Sequence, residues 1–170
     1  PMGRRSTTGA IATKLPDLSV YVQGPGFMPY VRMFNDQPGY KATRDLATAD
    51  AICFTGGPDV EPRIYGEETL PKTFYVRDRD KMDRAAFHRS HGKLRVGICR
   101  GAQFLNVMNG GTLWQHVEGH TVYHDLVDKE TGEVVRVTST HHQEMRPTKS
   151  AEILAVANVA QPDIGAAFDA

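Results

Sequence analysis

In residues 94–111, LRVGICRGAQFLNVMNGG, an apolar strand pattern passes straight into a helical one with no loop between them. Few architectures accept that junction. The helix must fold back over the sheet, and the next strand then lies parallel to the first. Gly97 and Gly101 bracket the switch, where the backbone bends sharply and small residues are needed. Similar punctuation recurs upstream. ADAICFTGG gives a buried strand at Ala51–Phe54 that ends in Gly56–Gly57, and Pro58 blocks regular continuation. LSVYV (18–22) reads as the first strand, followed by a weakly amphipathic stretch at Tyr30–Asn35. Residues 58–77 read as loop. Asp80–Ser90 reads as a helix with Met82, Ala86 and Arg89 on one face and Gly92 as its stop. A helix following Cys99 closes at Gly110–Gly111. EVVRVTST (133–140) reads as a strand, and 151–158 as another, with helix left open there by its alanines. The expected fold is α/β with three layers: a mostly parallel sheet flanked by helices, its ligand at the carboxyl ends of the strands.

Charge narrows the partner. Lys+Arg and Asp+Glu balance at 20 each, so no field favours nucleic acid or an anionic membrane, and a small neutral or zwitterionic ligand fits better. No apolar run is long enough to span a bilayer. Residues 1–16 are basic and Ser/Thr-rich without an apolar stretch, which suits a flexible tail and not a secretory signal; Pro1 reads as a remnant of tag removal. Residues 17–170 are expected to form one domain. Two cysteines, Cys53 and Cys99, each in an apolar strand-like setting, suit free thiols in a reducing, cytoplasmic setting.

Cys99 stands at the centre of Gly97-Ile98-Cys99-Arg100-Gly101, the G-x-nucleophile-x-G pattern of a strand-to-helix turn. A helix N-terminus beside the sulfur favours thiolate. The competing reading is a buried structural cysteine, the commoner fate of a free thiol; the flanking glycines favour the nucleophile. A Gly-Gly turn before a proline leaves amides free to face a neighbouring strand end, although it also serves as a plain tight turn.

GICRGAQFLNVMNGGTLWQHV, with FTGGPDVEPRIYGE before it and TSTHHQ after it, resembles the class I glutamine amidotransferase superfamily, and within it the γ-glutamyl hydrolase-like branch, peptidase C26, which includes γ-glutamyl-γ-aminobutyrate hydrolases. The resemblance implies a flavodoxin-like sheet and an attack by Cys99 on the γ-carbonyl of glutamine or a γ-glutamyl amide, giving a thioester that water cleaves. It implies an oxyanion hole built from the amides of Gly57 and Arg100. It places Gln103, His142 and Gln143 beside the substrate. No cofactor is implied. His116, His120 and His124 recur every four residues, but Gly110–Gly111 ends the helix and Gly119 interrupts the stretch, so no zinc site is expected. His88 and His91 are expected to be solvated. The segment YVRDRD and Trp114 are candidates for selecting the leaving amine.

The resemblance also implies a His-Pro-Glu segment carrying the general base. The sequence through Ala170 contains none, so the domain is expected to be incomplete at its C-terminus. A fragment of a longer enzyme is favoured over a natural truncation without hydrolase activity, or a base recruited from His141 or His142. The chemistry would serve a γ-glutamyl hydrolase or, with a synthetase partner chain, ammonia supply. A non-catalytic γ-glutamyl-binding module and a redox sensor built on Cys99 are the alternatives from other classes.

Overall fold

The computed structural model describes residues 17–117 and 123–157. The chain runs β1 (Leu18–Gln23), α1 (Met28–Asn35), β2 (Tyr40–Thr43), β3 (Ala51–Phe54), a 3-10 turn (Pro62–Tyr65), α2 (Arg77–Arg89), β4 (Leu94–Gly97), α3 (Arg100–Met108), β5 (Thr112–Trp114), β6 (His124–Asp128), β7 (Val134–Val137), β8 (Glu144–Arg146) and β9 (Ala155–Ala157). The expected tail, His120 and residues 158–170 lie outside the described residues.

The central sheet is parallel throughout, in the order β2-β1-β3-β4. Strand β3 is buried along its whole length, and its alternation builds both cores. Ile52 and Phe54 pack with Phe104 and Val107 of α3 and Ala86 of α2. Ala51 and Cys53 face the other way, with Val20, Phe34 of α1 and Ile98 around them. Helices therefore cover both faces, and the three-layer α/β arrangement follows. The Phe54 and Phe104 rings lie 5.2 Å apart, anchoring α3 directly over the sheet.

The later strands depart from the sequence reading. Those at 134–137 and 155–157 do not join the central sheet; β7 and β9 flank β6 in an antiparallel sheet, and β5 pairs antiparallel with β8. The reason is loop length. Val127 pairs with Val134, and so short a connection cannot make the crossover that parallel strands require. Asp128 Oδ1 accepts from the amides of Glu130 and Thr131 at 3.0 and 2.7 Å, closing the turn. The open choice at 151–158 resolves as a strand, Ala155–Ala157.

Helix α2 starts at Arg77, and its inward face is charged. Arg79, Asp80, Asp83 and Ala86 are buried, whereas Met82 is 59% exposed and Arg89 is exposed. The apolar face expected from Met82, Ala86 and Arg89 is thus replaced by a stripe at 79, 83 and 86. Among the described residues no helix is long and apolar enough to cross a membrane.

Candidate active site

Register brings three strand ends level. Gln23 pairs with Phe54, and Phe54 with Gly97, so Gly24, Thr55–Gly57 and Ile98–Cys99 emerge side by side at the carboxyl edge. The ladder runs on slightly, with Thr55 N donating to Gln23 O and Ile98 N to Phe54 O, both at 3.0 Å.

Cys99 occupies the turn between β4 and α3 with φ 55° and ψ −120°, and it is the one non-glycine residue of positive φ among the described residues. Such a conformation costs about 1–3 kcal/mol and persists only where its surroundings enforce it. The neighbours do so by close approach. A Cβ on Gly97 would stand 2.4 Å from Ala102 N, and one on Gly101 would stand 2.0 Å from Phe54 O. Both glycines of the G-x-C-x-G pattern are therefore steric necessities. The Cys99 side chain is exposed while Cys53 is buried, and burial pushes the Cys53 thiol up to about 11.

The Gly-Gly turn abuts this cysteine: a Cβ on Gly56 would lie 3.6 Å from Cys99 Cβ. Its two amides have different fates. Gly56 N–H donates to Tyr30 Oη at 3.1 Å. Gly57, at φ 151°, has no hydrogen-bond acceptor for its N–H among the described residues, and neither does Arg100, the first residue of α3. The Arg100 side chain turns inward and is 1% exposed, so what it offers the turn is its backbone.

Beneath the turn lies an ion network that sequence reasoning missed. Arg100 pairs with Asp80 and Asp83. Arg79 Nε donates to Asp83 Oδ2 at 2.8 Å, and its Nη atoms reach Gly56 O at 3.2 Å and Thr55 O at 2.9 Å. Gln23 Nε2 and Glu61 N donate to the remaining oxygens of Asp83 and Asp80, at 3.1 and 3.2 Å. Two cations and two anions balance, which is what permits their burial. Burial pushes the Asp80 carboxyl above its ordinary range against the pull of Arg100. A signal was available in the sequence: a helix with no apolar stripe either floats on the surface or buries its charges in pairs. These positions also place Arg79 and Asp80 of the YVRDRD segment under the turn.

Cys99 opens onto a cleft of about 1300 Å³ between α3 and the antiparallel strands, lined also by Gln103, Leu126, His141 and Gln143. Gln103 Nε2 donates to Gln143 O at 2.8 Å, and Gln143 Nε2 to Gln115 O at 3.3 Å; the buried Gln143 Oε1 has no partner among the described residues. Cys99, Gln103 and Gln143 are thus brought together. His142 is not: it points to Asp59, Nε2 to Oδ1 3.2 Å, and to His116, Nδ1 to Nδ1 3.4 Å. His124 also lines the cleft. His88 and His91 are on the surface side of α2 and the turn after it. Among the described residues no three His, Cys, Asp or Glu side chains are grouped to hold a metal.

Comparison with known proteins agrees with this arrangement. A glutamine amidotransferase-like protein of Lactococcus lactis subsp. cremoris, the YvdE homolog, is 36% identical over 121 residues, covering 58% of this chain and 64% of that protein. YvdE of Lactococcus lactis subsp. lactis is 35% identical, covering 58% of this chain and 51% of that protein. The chain thus spans about half to two thirds of these relatives' length. Among solved structures, a protein named for a GMP synthase of Thermoplasma acidophilum superposes with a TM-score of 0.61 at 17% identity, over 85% of this chain and 75% of that one. A glutamine amidotransferase from Thermotoga maritima gives 0.53 at 13% identity, over 82% and 66%. At such identities the likeness is one of fold. The model of the Peptidase C26 family matches residues 16–164, and with so much of the sequence matched, this chain belongs to the Peptidase C26 family of the class I glutamine amidotransferase-like superfamily.

Proposed function

We propose that the protein hydrolyses a γ-glutamyl amide through Cys99. The sulfur attacks the γ-carbonyl carbon, the C–N bond breaks, and the thiol proton passes to the departing amine. Water then cleaves the thioester to release the γ-carboxylate and restore the thiol. Each step develops an oxyanion, for which the amides of Gly57 and Arg100 are the donors; one such donor contributes about 2.7–4 kcal/mol to lowering the barrier. The observation that carries this reading is an exposed thiol on a strained turn beside two amides with no acceptor among the described residues. Gln103 and Gln143 form the wall for the glutamyl group. His142 is assigned to the rim through its contact with Asp59. Two free cysteines suit a reducing compartment such as the cytoplasm.

The chemistry requires a proton acceptor for the thiol. The family resemblance puts it in a His-Pro-Glu segment, absent from these 170 residues, and His141 is a cleft-lining histidine able to substitute.

A glutamine-like chloroketone tests the reading without turnover. It should alkylate Cys99 stoichiometrically, leave Cys53 untouched and be blocked by a γ-glutamyl amide. Unprotected, equal labelling of both thiols would remove the specific site. Glutaminase activity that rises only when a synthetase chain is added would assign ammonia supply; activity on γ-glutamyl conjugates alone would assign hydrolysis.

A further inference from the structure

The peptide unit joining Gly56 to Gly57 has glycine on both sides, so sterics do little to fix its orientation. Something outside the turn must do so. Its carbonyl oxygen accepts from Arg79 Nη1 at 3.2 Å. The unit is trans, as all peptide bonds among the described residues are, so its N–H, which Gly57 carries, points away from the guanidinium. One unit earlier, Thr55 O and Oγ1 accept from Arg79 Nη2 at 2.9 and 3.1 Å. One planar group thus grips two successive carbonyls.

The guanidinium is itself fixed. It is 4% exposed, and its Nε donates to Asp83, which also accepts from Gln23 and Arg100. Two glycines make room for it: a Cβ on Gly24 would stand 2.6 Å from Nη2, and one on Gly57 would stand 2.9 Å from Nη1. The same Asp83 therefore ties the residue holding the Gly56 carbonyl to the residue that follows the nucleophile.

We propose that Arg79 is a positioning residue that locks the Gly56–Gly57 peptide with its N–H toward the oxygen of the reacting carbonyl, and that Asp83 couples this amide to that of Arg100. The proposal rests on the reading that these two amides receive the oxyanion. Lysine cannot replace Arg79 in this role, because a single ammonium lacks the planar fork that holds two carbonyls at once.

The test pairs two reactions of Cys99 in the full chain. Alkylation by iodoacetamide displaces iodide and uses no oxyanion donor. Addition to the aldehyde of 5-oxopentanoate forms an S–C bond, the thiol proton passes to the carbonyl oxygen, and that oxygen occupies the donor site. Arg79→Lys should keep the alkylation rate within about 2-fold and weaken aldehyde binding about 30-fold or more, as expected for a misaimed donor usually worth 10²–10³. Equal aldehyde affinity, or a matching loss in both reactions, would overturn the proposal. If Arg79→Lys does not fold, Thr55→Val carries the test: it removes one acceptor of the guanidinium and should weaken aldehyde binding about 3-fold at unchanged alkylation, and unchanged aldehyde binding would overturn it. Failure of the unsubstituted chain to bind the aldehyde at all would sink the hydrolase reading and this inference together, an outcome separate from either variant's result.

Discussion

The parallel half of the molecule and the antiparallel half meet across one cleft and are built to different tolerances. In the first, Ile52, Phe54, Val60 and Phe104 are 0% exposed, and helices cover both faces of the sheet. In the second, Val134 is 57% exposed, Val135 47% and Leu154 67%, and the strands number three to five residues each. The strained backbone at Cys99 sits in the half that can enforce it. The other half supplies a wall, including His141 and Gln143. Chemistry that needs fixed geometry is placed on the over-determined side, and the side that shapes the ligand is lightly held.

Removing the nucleophile gives the largest expected effect. Cys99→Gly should lower γ-glutamyl hydrolysis by about four orders of magnitude or more. It should also stabilise the fold by about 1 kcal/mol, since glycine relieves the positive φ. Steady-state turnover and urea unfolding read the two, and a loss of stability would show that the parallel half imposes no strain there. Thiol selectivity comes next. With burial holding Cys53 at about 11, only about one thiol in a thousand is ionised at pH 8, before its inaccessibility is counted. Iodoacetamide at that pH should modify Cys99 alone; the site is read by peptide mass spectrometry, and appreciable Cys53 labelling would mean that the core of this half opens readily. Protection of Cys53 should weaken as pH rises toward that value.

What was legible follows the same division. Strand β3 and the junction at Cys99 were readable because burial imposes apolar runs and tight turns impose glycine. Helix α2 was placed nearly right, but its orientation was not, because its buried face is made of Arg79, Asp80 and Asp83, which pattern reading assigns to solvent. Only the partners on other segments, Arg100, Gln23 and the Thr55–Gly56 carbonyls, explain the burial, and they lie 17 to 60 residues away in sequence. Strand β2, YKAT, was missed because it is an exposed edge of four residues. The topology of β7 and β9 was misjudged by extending the parallel pattern past the point where loops become too short for it. The sequence placed Gln103 and Gln143 near the nucleophile by resemblance; that His142 turns toward Asp59 instead of the cleft is set by alternation along 141–143, which no motif records.

Glycine substitutions set the two halves side by side. Gly101→Ala would drive a Cβ to 2.0 Å from Phe54 O and should cost about 3 kcal/mol, near the upper end for overpacking a fixed site. Gly132→Ala, at φ 73° with nothing within 4 Å, meets only the left-handed backbone penalty of about 1–2 kcal/mol. Urea midpoints measure both, and equal losses would erase the distinction between a packed junction and an open turn.

The smallest effect is expected at the ion pair of the antiparallel half. Arg136 and Asp125 are register partners on β7 and β6, 3.1 Å apart, with side chains 66% and 37% exposed. Water competes for both groups, and ordering two long side chains costs entropy, so Arg136→Ala should lower stability by no more than about 0.5 kcal/mol and less at high salt. The four groups of the buried network have neither refuge: an Arg79 or Arg100 left without its carboxylate cannot turn to solvent. A loss above about 1.5 kcal/mol for Arg136→Ala, beyond the range of exposed pairs, would mean that β6–β7 depends on this contact as the parallel half depends on its ions. The wall of the cleft would then be as tightly held as the turn that faces it.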